Sequence, residues 1–476
     1  MDVDATRRNS RAVAVSLLAA LTAIAALAAS RDQTPPDAKP RETDRVASAR
    51  ALLVDDDWAS ALTLARQAVE SDPEHAEAVA VLGEALFRAG RMEEVDALLR
   101  PAAADSSAAP RGLATLARLR AAAGRGPESD RLMARAVDAA PNDREIVFWA
   151  GDLTGDRKLA VDLLGRYLEL RTGDKTERDE AVEGTIRLFK QLGTRAIWVA
   201  ERRPERVELP LTRIWDSAGN VQGYVLQARI GDRDKPVRLL LDTGTSGLFL
   251  LERVARKRGF EPLAEKTVFG GGGKRRHTTE RGLFGSFTLG DLAFTDALAS
   301  TTRKEFDSTG RFHGLLGIGI FAGYRITLDL AEERLLLERR DDSFEGSAYW
   351  WISGQMLVEA QTAGQPRGLF LFDTGATASV LALEYVRRID ETRLQESTAV
   401  RGFGGLVEGA RLVRGLELQF QRQSTGDRPL VAYDLSLVSR LGGVEVSGLM
   451  GLDLVGRGRI IIDSASQQVR IESSAD

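Results

Sequence analysis

The sequence contains no cysteine and only three histidines, His75, His277 and His313, in 476 residues. Without cysteine the chain has no disulfides, no thiolate metal site and no thiol nucleophile. The three histidines are scattered without the spacing of metal ligands, so we interpret them as surface or loop residues. The sequence therefore predicts neither a metal site nor a cofactor.

An excess of charge of one sign is also missing. The chain has 65 lysines and arginines against 69 aspartates and glutamates, a formal net charge of −4, which gives no reason to expect a nucleic-acid partner. The glycine run 270–273 is followed by Lys274, but Arg275 stands where a phosphate-binding loop requires serine or threonine. No Gly-x-Ser-x-Gly nucleophile motif occurs.

One long uncharged run stands at the N-terminus. Three arginines precede residues 12–29, which hold only small and aliphatic residues, serine and threonine. Their length is at the short end of a membrane span. We interpret residues 1–29 as a signal peptide or a transmembrane anchor, with the anchor favoured. The arginines place the rest of the chain outside the cytoplasm, membrane-anchored on the periplasmic side or, after cleavage, secreted or periplasmic.

The polar stretch of residues 30–43 contains three prolines, and we predict that it is a flexible linker. In residues 44–195, alanine, leucine and arginine recur with the spacing that is typical of α-helices. Pro73 and Pro141 lie two periods of about 34 residues apart, and each precedes a glycine, Gly83 or Gly151, by ten positions. This pattern resembles the tetratricopeptide repeat. The resemblance implies an α-solenoid of helical hairpins that docks a protein partner, with a structural spacer as the alternative.

The motif Asp-Thr-Gly occurs twice, at Asp242-Thr243-Gly244 and at Asp373-Thr374-Gly375, 131 residues apart. An aliphatic run precedes each copy, at residues 237–241 and 369–372. We predict that both runs are buried strands and that each places a carboxylate at its end. One copy of three common residues means little. The repetition is informative because it would allow two loops to build one site.

The same landmarks follow each Asp-Thr-Gly. A glycine-bracketed segment occurs at residues 314–317 and again at 448–451, and an aspartate ends an aliphatic run at Asp329 and again at Asp463. Both pairs are 134 residues apart, so the second half of the chain is an internal duplication. Each half also has a glycine-rich stretch between these landmarks, which suits the tip of a mobile hairpin.

These motifs resemble the pepsin-like and retropepsin-like aspartic proteases over residues 207–476. The resemblance implies a multidomain α and β chain: the α-solenoid, a connection at 196–206, and a bilobed all-β acid protease fold with lobes at 207–340 and 341–476. It implies no cofactor. It assigns catalysis to Asp242 and Asp373, support of the active site to Thr243, Gly244, Thr245, Thr374 and Gly375, and the flaps that bind substrate to Phe269, Gly270, Gly271, Phe403, Gly404 and Gly405.

The chemistry of such a pair follows from charge repulsion. Two carboxylates a few ångströms apart share one proton, so one acts as base towards a water molecule while the other acts as acid towards the peptide carbonyl. Thr245 offers a hydroxyl beside the first carboxylate, whereas Ala376 offers none beside the second. We therefore expect a mildly acidic optimum. The predicted function is a bacterial-type aspartic endopeptidase; the alternative is a non-catalytic scaffold that binds peptides.

Overall fold

The computed structural model describes residues 42–215, 219, 221–269, 276–306, 310–362, 364–398, 400–402 and 405–473. The predicted N-terminal segment 1–29 lies outside these residues. The described helices are α1 (Glu42–Val54), α2 (Trp58–Ser71), α3 (Ala76–Arg88), α4 (Met92–Leu99), α5 (Pro110–Ala122), α6 (Gly126–Ala139), α7 (Arg144–Leu153), α8 (Arg157–Glu169), α9 (Glu177–Leu192), α10 (Glu252–Arg256), α11 (Leu383–Asp390) and α12 (Ser436–Gly442). Within this described part, none of the helices has the length and apolar character needed to cross a membrane.

Helices α1 to α9 pack against their neighbours in chain order, as an α-solenoid does. The glycines of the repeat pattern lie where paired helices approach most closely. A Cβ on Gly83 would lie 2.6 Å from Leu99 Cδ1, and a Cβ on Gly151 would lie 2.8 Å from Leu164 Cγ. A larger side chain at either glycine would therefore separate the two helices of its hairpin.

The remainder of the chain forms strands in two lobes. The first lobe contains β1 (Val199–Arg202), β2 (Arg206–Pro210), β3 (Thr212–Trp215), β4 (Val221–Ile230), β5 (Val237–Leu241), β6 (Leu248–Leu251), β7 (Glu261–Phe269), β8 (Arg276–Leu289), β9 (Leu292–Thr302), β10 (Gly314–Leu316), β11 (Arg325–Asp329) and β12 (Arg334–Glu338). The second lobe contains β13 (Ser347–Ile352), β14 (Gln355–Thr362), β15 (Gly368–Phe372), β16 (Val380–Ala382), β17 (Leu394–Ser397), β18 (Val400–Gly402), β19 (Gly405–Val407), β20 (Arg411–Val413), β21 (Leu418–Phe420), β22 (Gln423–Ser424), β23 (Leu430–Tyr433), β24 (Gly448–Met450), β25 (Arg459–Asp463) and β26 (Gln468–Glu472).

The two lobes repeat one strand arrangement. In the first lobe β5 lies between antiparallel β4 and parallel β10, and in the second lobe β15 lies between antiparallel β14 and parallel β24. Both β5 and β15 end immediately before an Asp-Thr-Gly motif. Strand β11 of the first lobe pairs with β25 of the second, with Ile326 opposite Ile462. The lobes therefore share one continuous sheet.

The predicted connection 196–206 is more ordered than a linker. Strand β1 pairs with β9, and β2, which begins at Arg206, pairs with β12. Trp198 explains the order, because its ring packs edge-on against Phe287 at 5.3 Å and Phe294 at 5.7 Å between ring centroids. The four residues of β1 are themselves exposed, so the ring of Trp198 is the apolar anchor of this segment.

The α-solenoid contacts both lobes. At its C-terminal end, Leu188 and Leu192 of α9 pack against Leu283 of β8 in the first lobe. Nearer its N-terminal end, the carbonyl oxygen of Arg88 accepts a 2.7 Å hydrogen bond from the Glu445 amide of the second lobe. The solenoid therefore forms an arc that bridges the two lobes, and we call it the helical arc.

The contact between α9 and the first lobe is testable by truncation. Leu188 is 1 % exposed, whereas Leu159 on α8 is 47 % exposed. We expect Leu188→Ala to lower the free energy of unfolding by about 2–4 kcal/mol, because it leaves a cavity under the arc. Leu159→Ala should change it by less than about 0.5 kcal/mol. Urea unfolding followed by tryptophan fluorescence measures both, and equal effects would contradict the described packing.

Candidate active site

The two Asp-Thr-Gly loops meet where the lobes adjoin. Asp242 follows β5, and its amide donates a 3.0 Å hydrogen bond to the carbonyl oxygen of Leu316 on β10. Asp373 follows β15, and its amide donates a 2.9 Å hydrogen bond to the carbonyl oxygen of Met450 on β24. Each aspartate is therefore fixed by the glycine-bracketed segment of its own lobe, the first landmark that follows each Asp-Thr-Gly in the duplication.

The threonines connect the loops across the lobe boundary. The Thr243 hydroxyl donates to the carbonyl oxygen of Phe372 at 2.5 Å and accepts from the Thr374 amide at 3.0 Å. The Thr374 hydroxyl donates to the carbonyl oxygen of Leu241 at 2.9 Å and accepts from the Thr243 amide at 3.2 Å. Both threonines are buried. Four reciprocal hydrogen bonds therefore hold the two loops in one relative position.

The glycines allow the two carboxyl groups to approach. A Cβ on Gly244 would lie 2.8 Å from the carboxyl carbon of Asp373, and a Cβ on Gly375 would lie 2.8 Å from the carboxyl carbon of Asp242. Any side chain at either position would collide with the opposite carboxyl group. The amides of Gly244 and Gly375 each donate a 2.8 Å hydrogen bond to Oδ1 of the aspartate in their own loop.

The two carboxyl groups differ in their surroundings. The Thr245 hydroxyl donates a 2.8 Å hydrogen bond to Oδ2 of Asp242, and Ala376 has no hydroxyl to do the same for Asp373. Burial raises the pKa of Asp242, and the hydrogen bonds from Thr245 and Asp373 oppose that rise. Burial and the charge of Asp242 raise the pKa of Asp373 well above its ordinary value. Because the Thr245 hydroxyl stabilises the ionised form of Asp242 and Asp373 has no such hydroxyl beside it, these surroundings favour the shared proton on Asp373.

The pair lies in a cleft of about 2570 Å³ that both lobes line. Apolar side chains line this cleft, among them Phe312 in the first lobe and Trp351 and Tyr433 in the second. Burial and the negative charge of Asp373 raise the pKa of Tyr433, so its phenol stays protonated beside the pair. Both lobes therefore contribute apolar surface to the cleft that holds the aspartate pair.

The first lobe's Asp-Thr-Gly loop also receives a contact from the second lobe that the sequence did not predict. Gln355 Nε2 donates a 2.9 Å hydrogen bond to the carbonyl oxygen of Gly244. Gln355 follows a tight turn at Ser353 and Gly354, both with positive φ, and a Cβ on Gly354 would lie 2.7 Å from Ser246 Cβ. The sequence indicates a turn at this position, but it does not indicate that the turn contacts the loop of Gly244, because the two are more than a hundred residues apart.

Most of the predicted flap residues cannot be placed. Gly270, Gly271, Phe403 and Gly404 lie outside the described residues. Phe269 ends β7 and pairs with Arg276 of β8, while Gly405 begins β19 and pairs with Gly402 of β18. The assignment of these residues to substrate binding stays a prediction.

Comparison with known proteins agrees with both halves of this description. The aspartyl protease family matches residues 226–320, and the tetratricopeptide repeat family matches residues 52–105. A crystal structure of an aspartic proteinase from Irpex lacteus aligns with 56% of this chain and 96% of its own, at 13% identity and a TM-score of 0.36. No curated protein matches. The chain thus combines a tetratricopeptide-like helical region with an aspartic protease-like domain.

Proposed function

We propose that this protein is an aspartic endopeptidase in which Asp242 and Asp373 activate a water molecule. The observation that supports this most directly is the packing of each carboxyl group against the glycine of the opposite loop, where a Cβ would lie only 2.8 Å from the carboxyl carbon. Two carboxyl groups in such contact share one proton. Both aspartates are present in the duplicated motif, which favours catalysis over a peptide-binding scaffold.

The unequal surroundings of the pair assign the two roles. Ionised Asp242, supported by Thr245, accepts a proton from the water as the water oxygen bonds to the peptide carbonyl carbon. Protonated Asp373 donates its proton to the carbonyl oxygen, which gives a tetrahedral diol. The proton on Asp242 then passes to the leaving nitrogen as the C–N bond breaks, and a diol proton returns to Asp373. No covalent intermediate forms between enzyme and substrate.

The helical arc carries the second part of the proposed function, the docking of a polypeptide. Tetratricopeptide-like repeats suggest protein interaction, and a protease domain suggests a peptide substrate. We propose that residues 1–29 place both parts outside the cytoplasm, on the basis of their arginines and uncharged run.

Replacing either aspartate tests the catalytic proposal. We expect Asp242→Asn and Asp373→Asn each to lower the rate of casein cleavage by about a thousandfold or more, because neither variant can hold the shared proton. Asp427→Asn is the matched control, since Asp427 is an exposed carboxylate of the second lobe. Pepstatin, which mimics the tetrahedral state, should inhibit the parent protein. Folded parent protein that binds casein without cutting it at any pH would favour the scaffold.

The hydroxyl beside Asp242 controls the acidic limb of the pH profile. Because the Thr245 hydrogen bond lowers the pKa of Asp242, Thr245→Ala should raise it and shift the acidic limb of kcat/KM to higher pH. Ala376→Thr, which adds the missing hydroxyl beside Asp373, should shift the alkaline limb to lower pH. Steady-state rates across the pH range measure both shifts. Unchanged limbs, or a maximum near about pH 2, would contradict the assigned roles.

The compartment is testable with a reporter. We expect alkaline phosphatase fused after residue 43 to be active in bacterial cells, because residues 1–29 carry it out of the cytoplasm. The same fusion without residues 1–29 is the control and should be inactive. The size of the fusion on an immunoblot distinguishes a cleaved signal peptide from an anchor. Equal activity of the two fusions would contradict export.

A further inference from the structure

The concave surface of the helical arc and the aspartate pair face the same space. Alternate helices of the solenoid, α3, α5, α7 and α9, contribute side chains to the cleft that contains Asp242 and Asp373. Those side chains include Phe87, Trp149 and Val182. The surface on which a helical solenoid ordinarily holds its partner is here one wall of the cleft.

The arc is fixed in this position at both ends. Leu192 of α9 packs on Leu283 of the first lobe, and Arg118 Nη2 of α5 donates a 3.3 Å hydrogen bond to the carbonyl oxygen of Gly443, just after α12. A cation–π contact adds to the second-lobe side, where the Arg388 guanidinium lies 4.9 Å from the Trp58 ring centroid. A polypeptide bound on the concave surface therefore lies in the same cleft as the aspartate pair.

Most charges on this surface are already neutralised within the arc. The carboxylates Glu84 and Asp143 both contact Arg111, at 3.2 and 2.8 Å. Three further ion pairs follow the same pattern: Arg88 with Asp56, Arg144 with Asp179, and Arg178 with Glu145. These pairs leave little net charge for a ligand to recognise.

Three arginines of the cleft are different. Among the residues that the structure describes, Arg118, Arg281 and Arg440 have no carboxylate partner, and all three line the cleft. Arg118 and Arg440 lie where the arc meets the second lobe, and Arg281 lies on β8 of the first lobe, two residues before Leu283 and so on the face that meets α9. Burial lowers the pKa of Arg281, which reflects a guanidinium held away from water without a counter-charge.

Arg118 adds positive potential to the second-lobe end. Its guanidinium is stacked between the rings of Phe87 and Trp149, 4.1 and 4.4 Å from their centroids, and its Nη1 is buried without a hydrogen-bond partner. Burial, and then the charge of Arg88, lower the pKa of Arg118 to about 10, so it is charged at neutral pH. Glu84 and Glu145 act on Arg118 only from a distance, because each forms its ion pair with another arginine, Arg111 or Arg178. An anion at this end of the cleft would therefore offset a desolvated charge that has no ion pair among the described residues.

We propose that the helical arc binds the substrate itself, as an extended polypeptide segment with acidic side chains on both sides of the bond to be cut. This rests on the proposed function. Acidic residues on one side of the bond face Arg440 and Arg118, and acidic residues on the other side face Arg281. The segment is extended because it must pass between the arc and the two lobes, where it has the aspartate pair beneath it.

Binding to an inactive protein tests the proposal separately from catalysis. Full-length protein with Asp242→Asn is titrated into two fluorescently labelled peptides of equal length, one with Asp and Glu flanking a central apolar pair and one with Asn and Gln at those positions. We expect the acidic peptide to bind about tenfold more tightly at low salt, and the difference to shrink as salt is added. Equal affinities would overturn the proposal.

Charge reversal identifies the arginines involved. In the same Asp242→Asn background, Arg281→Glu and Arg440→Glu should each weaken binding of the acidic peptide about fivefold or more, and leave the neutral peptide unchanged. Arg422→Glu is the matched control, because Arg422 is exposed in the second lobe outside the cleft. The double reversal should prefer a lysine-flanked peptide. Losses as large in Arg422→Glu would overturn the proposal, and thermal melting confirms that each variant is folded.

A photo-crosslinker tests the role of the arc. An acidic peptide with benzophenone near either end should crosslink to residues of α5, α7 or α9, and crosslinks confined to the lobes would overturn the proposal.

Binding and cleavage of the two peptides by the parent protein, in which Asp242 is unchanged, distinguish a failure of this proposal from a failure of the proposed function. Selective acidic binding with no cleavage of either peptide leaves the docking site standing without the catalysis. Cleavage of both peptides with equal kcat/KM, together with equal affinity, leaves the catalysis standing without the docking site.

Discussion

The reciprocal hydrogen bonds of Thr243 and Thr374 are the contacts on which the rest of this site depends. Each hydroxyl donates to the opposite strand and accepts from the opposite amide, so four hydrogen bonds satisfy six polar groups inside a buried interface. Removing either hydroxyl would leave buried backbone groups unpaired, at a cost of about 1–3 kcal/mol each. This arrangement sets the distance between two carboxyl groups that would otherwise repel one another.

Duplication supplies the near-symmetry of the two loops, and differences between the two carboxyl groups decide where the shared proton lies. A pair with one proton offers one base and one acid, and unequal surroundings give that proton a preferred site. One hydroxyl, that of Thr245, distinguishes Asp242 from Asp373, because Ala376 at the equivalent place has no side-chain hydroxyl. Gln355 adds a second difference, since the second lobe holds the first lobe's Asp-Thr-Gly loop through Gly244.

Local patterns predicted much of this structure. Aliphatic runs before each Asp-Thr-Gly predicted β5 and β15, and the glycines of the 34-residue pattern mark close helix contacts at Gly83 and Gly151. What could not be predicted arises from contacts between distant segments. The predicted linker forms strands because the ring of Trp198 packs against two phenylalanines that lie some ninety residues later in the sequence. The placement of the arc over the cleft depends on equally distant contacts, such as Leu188 with Leu283.

The arc changes what the aspartate pair can reach. A cleft open to solvent admits any exposed loop, whereas a cleft bridged from lobe to lobe admits only a chain thin enough to pass beneath the helices. Most charges on the concave surface are paired with one another, so they contribute little to discrimination between ligands by charge. Under the proposed function, discrimination then falls to the unpaired arginines of the two lobes and the arc. Charge around the cut bond, rather than the residues at the bond, would then be the feature that the protein selects.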